Sequence, residues 1–281
     1  MRVGWLAGLA LVALAAAPAR GDEWTHQYPL KGRPDIHVKA DNGSVRVETG
    51  TGSGIDARVT TEGWRIAPGE VTITESQSGD RVDIEVRLPK HRLGVGPGHR
   101  AIAVVLRAPK EADLEVDTGD GSIEAQAVSG HIGLSTGDGS VTADGLQGEI
   151  RLHTGDGSIR ATGLSGRLEA HTGDGHLTVR GRFEVLDLDT GDGGIDAAAE
   201  PGSKVEAAWS LRSGDGGITL RLPEGLGADL DAQTGDGSII LEKPLTVTGT
   251  IRERSVRGTL GPGGLPLKIH SGDGSIRLLG L

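Results

Sequence analysis

Between residues 113 and 281 apolar and polar side chains alternate in short runs, and the runs return with a regular step. Each return carries a Thr-Gly-Asp-Gly-Ser turn or a near-copy, with its acid at Asp120, Asp138, Asp156, Asp174, Asp192, Asp215, Asp236 and Asp273. The first four steps are 18 residues each, and the later ones are 23, 21 and 37. Four apolar columns flank the turn. Two residues before the Thr stand Val116, Leu134, Leu152, Ala170, Leu188, Leu211, Ala232 and Ile269, and four before it Leu114, Ile132, Ile150, Leu168, Leu186, Trp209, Leu230 and Leu267. Three and five after the Asp come pairs such as Ile123 and Ala125, Val141 and Ala143, Ile159 and Ala161. The positions between are polar, as in Glu115, Arg151 and Glu169. Each repeat thus predicts two short strands with one dry and one wet face.

Gly and Asp suit the turn, because Gly reaches positive φ freely and Asp caps its own turn. A second corner closes each repeat at Gly145-Leu146-Gln147-Gly148 and Gly163-Leu164-Ser165-Gly166, with its Leu expected inside. Asp-Gly between alternating runs is also a hairpin signal. An antiparallel meander would need a second layer over its apolar face, and no amphipathic helix is available to supply one. A solenoid covers its own interior, since each coil stacks on the next. The expected fold is therefore all-β: a single-stranded β-helix with coils of 18 residues over 113–281 and a β-rich cap over 22–112. Within 22–112, Ile36 to Val47 is a degenerate copy with Asn42 in the place of the Asp, and Pro89 to Arg100 reads as a basic loop. The long step before Asp273 predicts a degenerate coil at about 244–266, with Arg252, Glu253 and Arg254 at its turn.

Residues 1–21 read as a secretory signal peptide: Arg2, an apolar run from Trp5 to Ala17, and small residues before a cut after Gly21. The protein is then exported, to the periplasm or the cell surface. Without residues 1–21 the chain holds 27 basic and 39 acidic side chains, a net charge of −12, which disfavours nucleic acid and anionic lipid as partners. There is no Cys, so neither a disulfide framework nor a lipidated cysteine is available. Aromatic residues make up only 2%, which leaves few platforms for stacking sugars.

Four sets of residues carry candidate chemistry. Stacking would bring Asp120, Asp138, Asp156, Asp174 and Asp192 into a ladder at about 4.8 Å. Neighbouring carboxylates there repel by about 1 kcal/mol in water, a repulsion that Ca²⁺ would relieve. Turn geometry alone also accounts for these residues, and no cofactor is otherwise implied. His153, His171 and His270 occupy equivalent positions, without a third ligand type at metal-binding spacing. The Thr column has the composition of an ice-binding face but lies in the turn. Arg252, Arg254 and Arg257 form a possible ligand loop, and with carboxylates nearby would serve a polysaccharide lyase. No nucleophile–base motif occurs.

From residue 36 to 281, and most closely from Leu114 to Val179, this pattern resembles the bacterial β-strand-repeat domains catalogued as candidate adhesins of unknown function. The resemblance implies a right-handed β-helix on an exported protein and supplies no catalytic residues. Bactofilins are similar in architecture, as polymerising β-solenoids, but act in the cytoplasm. The function expected is a non-enzymatic scaffold or adhesin-like module of the envelope or cell surface, whose partner is an envelope or extracellular polymer or protein. The alternative is a carbohydrate-active β-helix enzyme such as a polysaccharide lyase. Self-association through a terminal coil is a further expectation, because Leu278-Leu279-Gly280-Leu281 carries no evident cap.

Overall fold

The computed structural model describes residues 21–89, 100–242 and 247–281. The expected signal peptide, apart from Gly21, and most of the basic loop lie outside them. Among the described residues strands are the only regular elements, and no helix there is long and apolar enough to cross a membrane. The two strands of each repeat go to two different parallel ladders. In the first, Asp113–Thr118, Ser129–Thr136, Gln147–Thr154 and the second half of Ile159–Thr172 pair in order, without a register shift. In the second, Ile123–Gln126, Val141–Asp144 and the first half of Ile159–Thr172 do the same. The chain therefore climbs one strand spacing per repeat, about 4.8 Å. This is the solenoid that the 18-residue period implies.

The register explains the core. Because equivalent residues pair, all four apolar columns point inward and stack on their own kind. Nearly every member is buried, including Leu114, Val116, Ile159 and Ala161. Ile239 and Leu241 are only half-buried, because their strand, Ile239–Leu241, is the outermost of its ladder. Each inward Leu or Ile contributes roughly 1.5–3 kcal/mol through burial. The corner residues Leu146 and Leu164 are buried as expected.

The order of coils at both ends departs from chain order. At the start, Asp35–Ala40 pairs on one side with Asp113–Thr118 and on the other with Arg81–Arg87. Ser44–Thr49 likewise lies between Ile123–Gln126 and Ala101–Ala108. Antiparallel strands then cover this end: Thr72–Ser78 on one ladder, Ile55–Glu62 and Glu23–Tyr28 on the other. Tyr28, on the outermost strand of one ladder, donates its hydroxyl to Glu75 on the outermost strand of the other. Burial, and then the bond to Glu75, raise the Tyr28 pKa far above the usual phenol value, so the hydroxyl stays a donor.

At the far end the coil of residues 266–280 is inserted between two that precede it. Pro266–Ser271 lies between Trp209–Ser213 and Ala228–Thr234, and Ile276–Gly280 between Ile218–Leu222 and Ile239–Leu241. This corrects two expectations. Leu278 and its neighbours form no open terminal edge, since their strand is paired on both sides. The degenerate coil expected at about 244–266 is instead an antiparallel hairpin, Val247–Arg252 with Ser255–Leu260, that pairs with Ala228–Thr234. Ser255-Val256-Arg257 repeats the side-chain alternation of a coil, but alternation does not encode strand direction.

Candidate functional site

The register that builds the core also builds the outer faces. Polar residues between the inward columns form rows that cross the strands, one residue per coil. One row of the first ladder runs Asp117, Ser135, His153, His171, Asp189, Arg212, His270. The rings of His153 and His171 stack in parallel at 5.4 Å between centroids, and His171 Nδ1 stands 3.7 Å from Asp189. His270 is separated from this pair by the strands of Asp189 and Arg212. Cross-strand ion pairs tie other rows, among them Arg33–Asp113, Arg46–Glu124 and Arg221–Asp196. At the N-terminal end the carboxyl of Asp113 lies below its usual range. Burial opposes that shift, but bonds from the His131 backbone and ring, together with Arg33, outweigh it. Glu115 is pushed the other way, by burial and then by the Asp117 carboxylate beside it.

At the turns, Asp120, Asp138, Asp156, Asp174 and Asp192 all stand exposed in single file. Asn42, in the adjoining coil, donates to Asp120 at 2.6 Å. Among the described residues no group of three or more His, Asp or Glu side chains converges as metal ligands. The Thr beside each Asp points inward. Thr154 is fully buried; its hydroxyl donates to Gly139 O in the preceding coil at 2.8 Å and accepts from Gly157 N at 3.2 Å. Thr136, Thr172, Thr190 and Thr234 repeat the bond to the neighbouring turn, and Ser213 and Ser271 substitute for Thr in theirs. The Thr column is an internal hydrogen-bond ladder and presents no hydroxyl face to solvent. Its role was missed in the sequence, although the invariant pairing of Thr with a Gly three residues on was a visible signal.

Of the basic residues singled out, Arg254 donates to Gly235 O at 2.8 Å and stands 3.4 Å from Asp236. Arg257 pairs with Asp231 at 3.2 Å, and Arg252 is exposed at the hairpin end. Among the described residues, four concavities of the surface lie away from 252–257. One of about 390 Å³ on the first ladder near its N-terminal end is lined by His37, Lys39, Asp83, Glu115 and Asp117. One of about 550 Å³ on the second ladder gathers His26, Arg46, Arg58 and Arg107 around Glu48 and Asp56. A third, about 160 Å³, lies between Ser210, Asp231 and Lys268. The largest of the four, about 680 Å³, follows the second corner past Ser129, Gln147, Ser165, Arg167, Arg182 and Glu184.

Stacked two-ladder coils, a Gly-rich turn column and antiparallel covers define an all-β, solenoid-like repeat protein. Residues 33–279 match the family described as Toastrack DUF4097, and the chain belongs to that family. No curated protein matches the chain in sequence. Among solved structures, a candidate lipid-binding protein from Parabacteroides distasonis aligns over 94% of this chain and 99% of its own, at 14% identity and TM-score 0.50. A candidate adhesin from Bacteroides fragilis aligns over 94% and 100%, at 10% identity and TM-score 0.45. Another from Parabacteroides merdae aligns over 94% and 98%, at 14% identity and TM-score 0.43. The likeness to the first bears on the fold and on nothing further.

Proposed function

We propose that the protein is an exported, non-enzymatic scaffold or adhesin-like binding module, which presents its outer faces to an envelope or extracellular polymer or protein. One observation carries this reading: equivalent polar residues stand in rows across successive coils without a register shift from Asp113–Thr118 to Gln147–Thr154. Such rows offer a repeating ligand many weak contacts at once, which favours avidity over a single deep site. The apolar run of residues 5–17 supports export, and the acidic balance disfavours nucleic acid. Proteolysis of intact native cells, with a periplasmic protein as control, tests the location. Loss of this chain while the control survives is expected for an adhesin. Protection until the envelope is broken would rule out surface adhesion and leave a periplasmic scaffold.

A further inference from the structure

We infer that the groove along the second corner binds a strand of acidic polysaccharide laid parallel to the stack axis. This rests on the binding-module reading above and names its site and its ligand class. The groove arises from the corner itself. Gly130, Gly148 and Gly166 pair in succession, with Ser129, Gln147 and Ser165 beside them. A Cβ at Gly148 would lie 2.3 Å from Gly130 O, and one at Gly166 2.3 Å from Gly148 O; both residues have φ near +110° (111° and 114°). No other residue fits, so each coil lacks one side chain along this line and the corner is indented.

The indentation ends one coil before the 18-residue step first fails. Phe183 takes the place of the next Gly in the column and turns its ring into the core. The inserted residues 200–206 then fold against Phe183 and Glu184. Phe183 N donates to Ser203 Oγ at 3.0 Å, Lys204 N to Phe183 O at 2.9 Å, and Glu206 N to Glu184 O at 3.0 Å. The result is a groove of about 680 Å³ with a wall at one end.

Its charge distribution selects the ligand. Arg167 and Arg182 are exposed in the groove, and neither has a carboxylate within 4.0 Å among the described residues. On neighbouring strands Arg151 is engaged with Glu149 and Glu169, and Arg212 with Asp187. Arg160 and Arg180 are exposed on the other ladder and likewise lack a carboxylate partner among the described residues, but they do not line the groove. Two acids also line the groove: Glu149 is held by Arg151 and His131, and Glu184 stands exposed at the walled end. Arg182 is level with Ser165, two residues from Arg167 on the adjacent strand, a diagonal of about 8 Å between Cα atoms. Two guanidinium forks at that separation suit ligand carboxylates, on a protein whose net charge is −10. The Ser129 and Ser165 hydroxyls and the Gln147 amide suit sugar hydroxyls. A peptide strand gains no ladder here, because the groove crosses the strands and their pairing groups are already used. A lipid tail finds no apolar floor, since Phe183 faces the core.

The test is titration of the chain from residue 22 to 281 with fluorescent oligogalacturonate, with a dextran oligomer as the neutral probe. Wild type is expected to bind the uronate and ignore the dextran. Arg167→Ala combined with Arg182→Ala is expected to weaken binding by roughly tenfold or more. Gln147→Trp, which fills the groove from an exposed position, should do the same. Arg160→Ala, on the other ladder, should leave binding unchanged. Unfolding midpoints equal to wild type confirm that each variant is folded. Equal binding of dextran, or full binding by the double variant, overturns the inference. If wild type binds neither probe yet remains surface-exposed on cells, the site is refuted while the adhesin reading stands; protection from protease as well refutes both. Shortening of the probe during titration would support the groove and overturn the non-enzymatic reading.

Discussion

Replacing Thr154 with Val separates hydrogen bonding from hydrophobicity inside the stack. The two side chains have nearly the same shape, and Thr154 is fully buried, so transfer alone predicts a gain for Val. The hydroxyl, however, donates to Gly139 O at 2.8 Å and accepts from Gly157 N at 3.2 Å. Valine leaves both backbone groups buried without that partner, at about 1–3 kcal/mol for each unsatisfied group. With the transfer gain subtracted, the expected loss is about 2–4 kcal/mol. Thr154→Ser keeps both bonds and removes one methyl, and should cost about 1 kcal/mol. Urea unfolding followed by far-ultraviolet circular dichroism gives the comparison, as a shift in midpoint at constant slope. The order wild type, Ser, Val is the expected ranking. A Val variant as stable as wild type, or a Ser variant as damaged as Val, would show that the Thr ladder carries no weight.

Ile159→Asp places an unpaired charge between coils and should cost several kcal/mol, visible as early urea unfolding or as new protease cleavage in the stack. Asp156→Asn relieves repulsion along an exposed file and should change the melting temperature little or raise it slightly; destabilisation seen only with Ca²⁺ present would mean that the ladder holds a cation. Glu115 has a raised folded-state pKa, so the folded chain holds its proton longer than the unfolded chain, and stability falls as pH rises through that interval. Glu115→Gln should therefore melt higher than wild type at neutral pH, with the difference vanishing below about pH 4, where glutamate is protonated in both states; an unchanged difference at acid pH would contradict it. Removal of residues 266–281 takes away the coil shared by Trp209–Ser213 and Ala228–Thr234. Limited proteolysis should then cut beyond residue 205 and spare 113–199.

Much of the fold was legible because one number, the step of 18, fixes both the pairing register and the buried face. Leu114, Ile132, Ile150 and Leu168 could be placed inward, and stacked on one another, from spacing alone. The order of coils was not legible for a related reason. Leu267 packs between Trp209 and Leu230, yet its pattern of neighbours would fit beside any coil in the stack. Repetition that makes a repeat easy to recognise removes the information about which copy it meets. The hairpin of 247–260 was hidden by the same ambiguity, since its alternation reads alike in parallel and antiparallel pairing. For the surface, the second corner was visible as Gly145 to Gly148, but the groove depends on Gly130, Gly148 and Gly166 lying in line, with Phe183 ending the line. The unpaired state of Arg167 and Arg182 follows from contacts that no spacing encodes.

The insertion of residues 266–280 between earlier coils sets a constraint in time. A polypeptide emerging from its N-terminus presents 209–222 and 228–241 before their common neighbour exists. Each has a strand edge and an apolar face matched to the other, so direct docking of the two is the natural error, and it would shut out the coil that belongs between them. Correct assembly must keep that slot open, or reopen it, until 266–280 arrives. Such late threading should make the final phase of folding slow for a chain otherwise built from near neighbours. The feature that finishes the stack is thus also its kinetic lock: once 266–280 is seated, 209–222 has a paired coil on each side and cannot leave without displacing one of them.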